Sequence, residues 1–181
     1  MSMTSPIIRE VLPEEAYDYT TLHIACWQSA YRKIISEEYM QNMLEDIDNR
    51  AERCRRDLTT PGEWKFYCAM LDDIMIGRLI LCKSRDDDKR DVGEVAAIYL
   101  LEEYWDKGYG RKMMDYALNK LEVMGFHEVV VWVLEANHRA RRFYEKMGFY
   151  HDGTSKEIII DKPLVEIRYV REILCSAEDR R

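Results

Sequence analysis

Near residue 60 the spacing of apolar residues changes from a helical period to a strand-like one, and this restricts the chain to a layered α/β architecture. Before the change, Pro13-Glu14-Glu15 starts a helix whose apolar positions Tyr17, Leu22, Ile24, Ala25 and Ala30 recur at roughly helical spacing. A second helix is predicted after Ser36. It carries Tyr39, Met40, Met43, Leu44 and Ile47 and runs as a charged continuation toward Leu58, where Thr59-Thr60-Pro61-Gly62 ends it. After the change, 64–71 and 74–82 read as strands joined by a tight turn at Asp72-Asp73, and a short strand is expected earlier, at 7–11.

The second half alternates. The nearly all-charged stretch 83–91 reads as a solvated loop, followed by a strand at 92–101. Residues 108–124 place Met113, Met114, Ala117, Leu118, Leu121 and Met124 on one stripe, as in a helix packed on a sheet, and Gly125 stops it. The run 129–134 is rich in β-branched residues and is expected to be buried on both faces. Asn137 can cap a helix that continues through Met147 to a stop at Gly148. Two last strands, 154–160 and 164–173, flank a turn at Asp161-Lys162-Pro163. A single domain over 1–181 is expected, with a mixed sheet and helices on both faces.

Composition narrows the chemistry. The five cysteines, Cys26, Cys54, Cys68, Cys82 and Cys175, are odd in number, scattered and without CxxC spacing, so they read as reduced thiols and no metal site is expected. No apolar run is long enough to span a membrane and the N-terminus lacks a secretory pattern, so a soluble cytoplasmic protein is expected. A formal net charge of -7 argues against general nucleic-acid binding.

The most informative segment is Tyr104-Trp105-Asp106-Lys107-Gly108-Tyr109-Gly110-Arg111, between a strand and a helix. Two glycines one residue apart let the backbone approach a ligand closely, and the first N–H groups of the following helix favour an anion. The spelling excludes both GxxxxGK[ST] and GxGxxG, so a different phosphate binder is required. By itself a GxG serves ordinary strand-to-helix turns about as often.

In order, the strand Glu94-Val95-Ala96-Ala97-Ile98-Tyr99-Leu100, the Gly108/Gly110 loop, and Asn137-His138-Arg139-Ala140-Arg141-Arg142-Phe143-Tyr144-Glu145-Lys146-Met147-Gly148-Phe149 resemble the core of the GNAT superfamily of acyl-CoA N-acyltransferases. His23, Trp27 and Tyr31 are similar, more weakly, to its first helix. The resemblance implies a mostly antiparallel mixed sheet with a splayed strand pair, and acetyl-CoA as cosubstrate. Ile98, Tyr99 and Leu100 would meet the pantetheine arm through their backbone. Asp106, Lys107, Gly108, Tyr109, Gly110 and Arg111 would cradle the pyrophosphate, Asn137 would bond the pantetheine, and Tyr144 would reach the sulfur. The chain departs from the family where an Arg or Gln is usual: Trp105 stands there, with Asp106 beside it. Donation by backbone N–H groups does not depend on either side chain.

The resemblance further implies direct attack of an amine on the thioester. Tyr144 is then the expected general acid and Glu94 the candidate base, although Glu94 reads equally as a solvated residue at a strand start. The acceptor, a small-molecule or peptide amine, is expected near Trp27, Tyr31 and Arg32, aromatics that read equally as core. Arg139, Arg141 and Arg142 read as a solvated helix face with one guanidinium in reach of the cofactor's ribose phosphate. His23, His127, His138 and His151 are single and unclustered. A homodimer is left open. The alternative is a non-catalytic acyl-CoA-binding module on the same fold.

Overall fold

The computed structural model describes residues 5–173. A short strand, β1 (Ile7–Glu10), leads through a single 3-10 turn into helix α1 (Ala16–Ala30). The turn is fixed by Glu15, whose carboxylate accepts from the Leu12 amide at 2.9 Å and pairs with Arg9 at 2.5 Å.

The long second helix expected from the sequence is two helices, α2 (Glu37–Glu45) and α3 (Ile47–Thr59), parted at Asp46. Asp46 is the physical cause of the break. Its carboxylate takes hydrogen bonds from Asn49 and Arg53, each at 2.8 Å, and a short acidic side chain with its own local partners competes with helix continuation. The helix predicted after Ser36 does begin there, and Ser36 caps α2 by accepting from the Tyr39 amide at 3.2 Å.

Strands β2 (Lys65–Leu71) and β3 (Ile74–Lys83) form the expected hairpin, and Asp72 and Asp73 both take positive φ, 46° and 65°, as a two-residue turn matched to strand twist requires. Then follow β4 (Gly93–Leu100), α4 (Tyr109–Val123), β5 (Glu128–Leu134), α5 (His138–Lys146), β6 (Tyr150–Ile160) and β7 (Lys162–Glu172). The seven strands lie in the order β1-β2-β3-β4-β5-β7-β6, antiparallel except for the parallel pair β4–β5. This is the mixed, mostly antiparallel α/β sheet expected.

Period-2 alternation divides the two faces. Tyr67, Ala69, Val129, Val131, Val133, Ile167 and Tyr169 pack with α4 and α5 in the main core, around Met113, Met114, Ala117 and Leu121. Cys68, from the opposite face, packs with Ala16 and Tyr19 of α1 and Cys54 of α3. Cys26, Cys54, Cys68 and Cys82 are buried free thiols; Cys175 lies outside the described residues.

Two further expectations change. Strand β6 begins at Tyr150 rather than 154, because its pairing with β7 breaks between His151 and Ser155 around Gly153 (φ 89°), which hides the first residues from a period-2 reading. The charged stretch 83–91 is anchored and not simply solvated. Arg168, 3% exposed on β7, holds Asp86 at 3.0 Å, Asp88 at 2.7 Å and Asp152 at 2.8 Å, and Trp132 donates its indole N–H to Asp86 at 3.0 Å. Among the described residues no helix is long and apolar enough to cross a membrane.

Candidate active site

The site originates in a defect of strand pairing. β4 and β5 pair only at Gly93↔Val129 and Glu94↔Val130. Between β3 and β4, Ile80 faces Ala97 but Leu81 faces Val95, so Ala96 is an extra residue that bends β4 away from its neighbour. The splayed pair is therefore present, and a cleft of about 510 Å³ opens between the diverging strands. From Val95 onward the edge of β4 turned toward β5 has no partner strand, leaving backbone groups free for an extended ligand.

The cleft brings together most of the residues singled out in the sequence: Ile98, Tyr99, Leu100, Asp106, Gly108, Gly110, Arg111, Asn137, Tyr144 and Tyr31 all line it. Gly108 precedes α4 at φ 81°, and a Cβ there would meet nothing within 4 Å, so the turn is open to the cleft. The first amides of α4 have no acceptor within the helix and present its positive end. Asp106 also takes a left-handed φ, 59°, a conformation that Asp tolerates better than most residues. Lys107 and Tyr109 do not line the cleft. Lys107 Nζ lies 5.4 Å from the Tyr104 ring, and the Tyr109 side chain, 6% exposed, belongs to the core, which its place on the inward stripe of α4 accounts for.

Trp105 and Arg139 add contacts that the sequence reading did not assign. The Trp105 indole N–H donates to the Leu100 carbonyl at 2.7 Å. Arg139 Cζ sits 4.2 Å from the Trp105 ring centroid, and its Nη2 donates to both oxygens of Asp106 at 3.1 Å. Asn137 accepts from the Ala140 amide at 3.1 Å and so caps α5, which leaves its side-chain NH2 group for another acceptor.

Tyr144 enters the cleft from the α5 side. It is 6% exposed, is held among Phe143, Phe149 and Tyr169 at ring distances of 5.5, 6.0 and 6.2 Å, and its hydroxyl has no hydrogen-bond partner among the described residues. Burial pushes its pKa well above the ordinary phenol value, so the hydroxyl keeps its proton.

Across the cleft, Tyr31 and Tyr99 share a 3.1 Å hydrogen bond, and burial raises both phenols. Trp27 packs edge-on against Tyr31 at 5.0 Å and His23 at 5.2 Å without lining the cleft. Its indole N–H lies beside the Tyr99 hydroxyl but falls outside hydrogen-bond geometry. Arg32 turns outward to Glu102 at 2.8 Å, an exposed pair. Glu94, 1% exposed, is likewise not part of the cleft lining: Arg85 bonds one of its oxygens at 2.5 Å and the other at 3.2 Å. A second carboxylate on this face escaped the sequence reading. Glu166 of β7 lies 3.6 Å from Lys156, and desolvation raises its pKa, with the Glu94 charge adding to the shift. The signal for it was the alternation in β7, where Ile167 and Tyr169 point to the core and Glu166 to the opposite face.

A sequence model of the Acetyltransferase (GNAT) family matches residues 21–149. The chain belongs to the GNAT family. It is similar to an uncharacterized N-acetyltransferase of Bacillus subtilis (strain 168), 28% identical over 132 residues that make up 72% of each chain. Among solved structures it is similar to the PaiA N-acetyltransferase of Thermoplasma acidophilum in complex with coenzyme A, with a TM-score of 0.70 at 22% identity over 94% of this chain and 100% of that one. A Salmonella typhimurium protein crystallised with its cofactor acetyl-CoA gives a TM-score of 0.67 at 16% identity, over 98% of this chain and 100% of that one. These likenesses reach the GNAT fold.

Proposed function

We propose that this GNAT protein is an N-acetyltransferase that moves an acetyl group from acetyl-CoA to a primary amine by direct attack with both substrates bound. The observation that carries the reading is the Tyr144 hydroxyl, kept protonated by burial and without a hydrogen-bond partner among the described residues, in the cleft lined by the unpaired edge of β4. The cosubstrate supplies a thioester, whose carbonyl is the electrophile.

The chain's residues supply position and protons. Backbone groups of Ile98, Tyr99 and Leu100 take the pantetheine arm as an added strand, and the Leu100 carbonyl already accepts one bond from Trp105. The amides at the start of α4, with Gly108 and Gly110 clearing space and Arg111 adding charge, take the diphosphate. An N–H on the free edge of β4 steadies negative charge on the carbonyl oxygen. Tyr144 gives its proton to the sulfur as the C–S bond breaks.

The acceptor amine, with an ordinary pKa of about 10, has to lose a proton before it attacks. Glu94 can take that proton only through a water that displaces one of its Arg85 bonds. Glu166, whose pKa desolvation raises, is the second candidate; like Glu94 it does not line the cleft, so it too would reach the amine through water. On this reading the acceptor lies against Tyr31 and Tyr99, which line the same cleft as Tyr144. A screen of acetyl-CoA turnover across small amines and peptide N-termini, read by thiol release, tests the reading. Turnover with at least one amine class, sharply reduced in Tyr144→Phe, supports it. Tight coenzyme A binding with no thiol release across the panel favours the non-catalytic acyl-CoA-binding module.

A further inference from the structure

On the acyl-CoA reading, a diphosphate has to be met at the start of α4, yet the loop there presents an indole and a carboxylate, Trp105 and Asp106. The guanidinium that reaches this loop comes from the other wall of the cleft. Arg139, the second residue of α5, lies over Trp105 with Cζ 4.2 Å from the ring centroid and donates from Nη2 to both Asp106 oxygens at 3.1 Å. Trp105 is itself pinned by its bond to Leu100. The indole therefore acts as a platform that keeps the guanidinium at the cleft, and Trp105, Asp106 and Arg139 all line that cleft.

We propose that Arg139 is a phosphate-binding side chain of this cofactor site, and that Asp106 is its resident substitute ligand, released when the diphosphate takes the guanidinium. A carboxylate and a phosphate offer a guanidinium the same pair of anionic oxygens, so one can stand in for the other. The resident pair is easily exchanged: its side chains are 48% and 85% exposed, and ion pairs so open to water add little stability. A diphosphate carries more charge than the carboxylate and also meets the amides of α4, which Asp106 does not engage. Exchange places Asp106 beside the incoming anion, where like charges repel. Asp106 thus opposes binding twice, by occupying Arg139 beforehand and by repulsion afterwards.

Calorimetry on the full chain with coenzyme A, 3′-dephospho-coenzyme A and S-acetylpantetheine, which has no diphosphate, tests this. Arg139→Gln is expected to weaken coenzyme A and its dephospho form equally, by about tenfold, and to leave S-acetylpantetheine unaffected. Asp106→Asn is expected to tighten coenzyme A by about threefold, and to gain less in the Arg139→Gln background. Arg139→Lys, which keeps the charge without the planar fork, is expected to recover part of the loss. Thermal melting checks that each variant is folded.

Three results overturn the inference: coenzyme A binding unchanged in Arg139→Gln, a loss that disappears with the dephospho form and so assigns Arg139 to the ribose phosphate, or weaker binding in Asp106→Asn. Wild-type protein that binds neither nucleotide sinks the acyl-CoA reading itself and this inference with it. Wild-type binding with indifferent variants sinks this inference and leaves the acyl-CoA reading standing.

Discussion

The hydroxyls of Tyr31 and Tyr99 meet at 3.1 Å, joining the end of α1 to the strand that bends away from its neighbour. Burial raises both phenols, so the pair stays neutral past the ordinary phenol pKa of about 10 and can only exchange hydrogen bonds with an acceptor, not take its proton. Tyr31→Phe removes one hydroxyl and leaves Tyr99 without its partner. The loss of a hydrogen bond of about 1 kcal/mol predicts a KM for the acceptor amine raised about fivefold, with the KM for acetyl-CoA unchanged, from pH 6 to 10. Equal shifts in both KM values would place the pair outside the acceptor site.

Tyr144→Phe keeps the ring packing against Phe143, Phe149 and Tyr169 and deletes only the proton. General acid catalysis contributes about 10²- to 10⁴-fold, so kcat should fall by that order while coenzyme A affinity stays within about twofold. The direction of the shift fixes the pH behaviour. A phenol raised by burial stays protonated, and so competent as an acid, through pH 10, and the wild-type enzyme should show no alkaline decline belonging to Tyr144 in that range. A decline in kcat with a midpoint near 10 that vanishes in the Phe variant would contradict the buried phenol.

The proton acceptor is separable by slope. Below the pKa of the acceptor amine, log kcat/KM falls by one unit per pH unit because only neutral amine attacks; below the pKa of an essential carboxylate the slope becomes two. Glu166 is raised above the ordinary carboxylate value, chiefly by desolvation, and it works only when ionised, so the second downturn should occur above pH 4.5. Glu166→Gln should keep a slope of one throughout with kcat lowered about 100-fold. Glu94→Gln leaves the Arg85 guanidinium without its two-oxygen partner and should lower the melting temperature while keeping the second downturn. If instead Glu94→Gln abolishes that downturn, the base is Glu94 acting through water.

Most of the fold was legible because its signals are local. The period change near residue 60, the Asp72-Asp73 turn and the glycines at 108, 125 and 148 mark elements through spacing and backbone conformation. The break at Asp46 and the early start of β6 were not legible: Asp46 finds its own partners in Asn49 and Arg53, and the β6–β7 pairing slips between His151 and Ser155 around Gly153, neither of which an apolar period records. The cleft followed the same division. Gly108, Asn137 and Tyr144 could be found from motif spacing, whereas the locking of Glu94 by Arg85 and the reach of Arg139 to Asp106 join residues 9 and 33 positions apart, through contacts that no period predicts.

Arg168 illustrates such a long-range contact and gives a prediction about stability. It is 3% exposed and binds three aspartates, drawing the 83–91 stretch onto β6 and β7. Asp88 and Asp152 are held below the ordinary aspartate value, with hydrogen bonds to Arg168 among the causes, so the folded state prefers them ionised. Their contribution is present above the unfolded-state pKa of about 3.9 and is lost as pH falls through the lower folded values. Arg168→Met removes the cation and leaves Asp86 and Asp152 partly buried without it. Breaking a buried ion pair from one side costs about 3–5 kcal/mol, so urea unfolding at pH 7 should show a loss of that order. The difference from wild type should narrow below pH 4, where the carboxylates become protonated and no longer need the guanidinium. A gap that stays constant from pH 7 to pH 3 would assign the loss to packing against Trp132, whose ring centroid lies 5.7 Å from Arg168 Cζ, and not to charge.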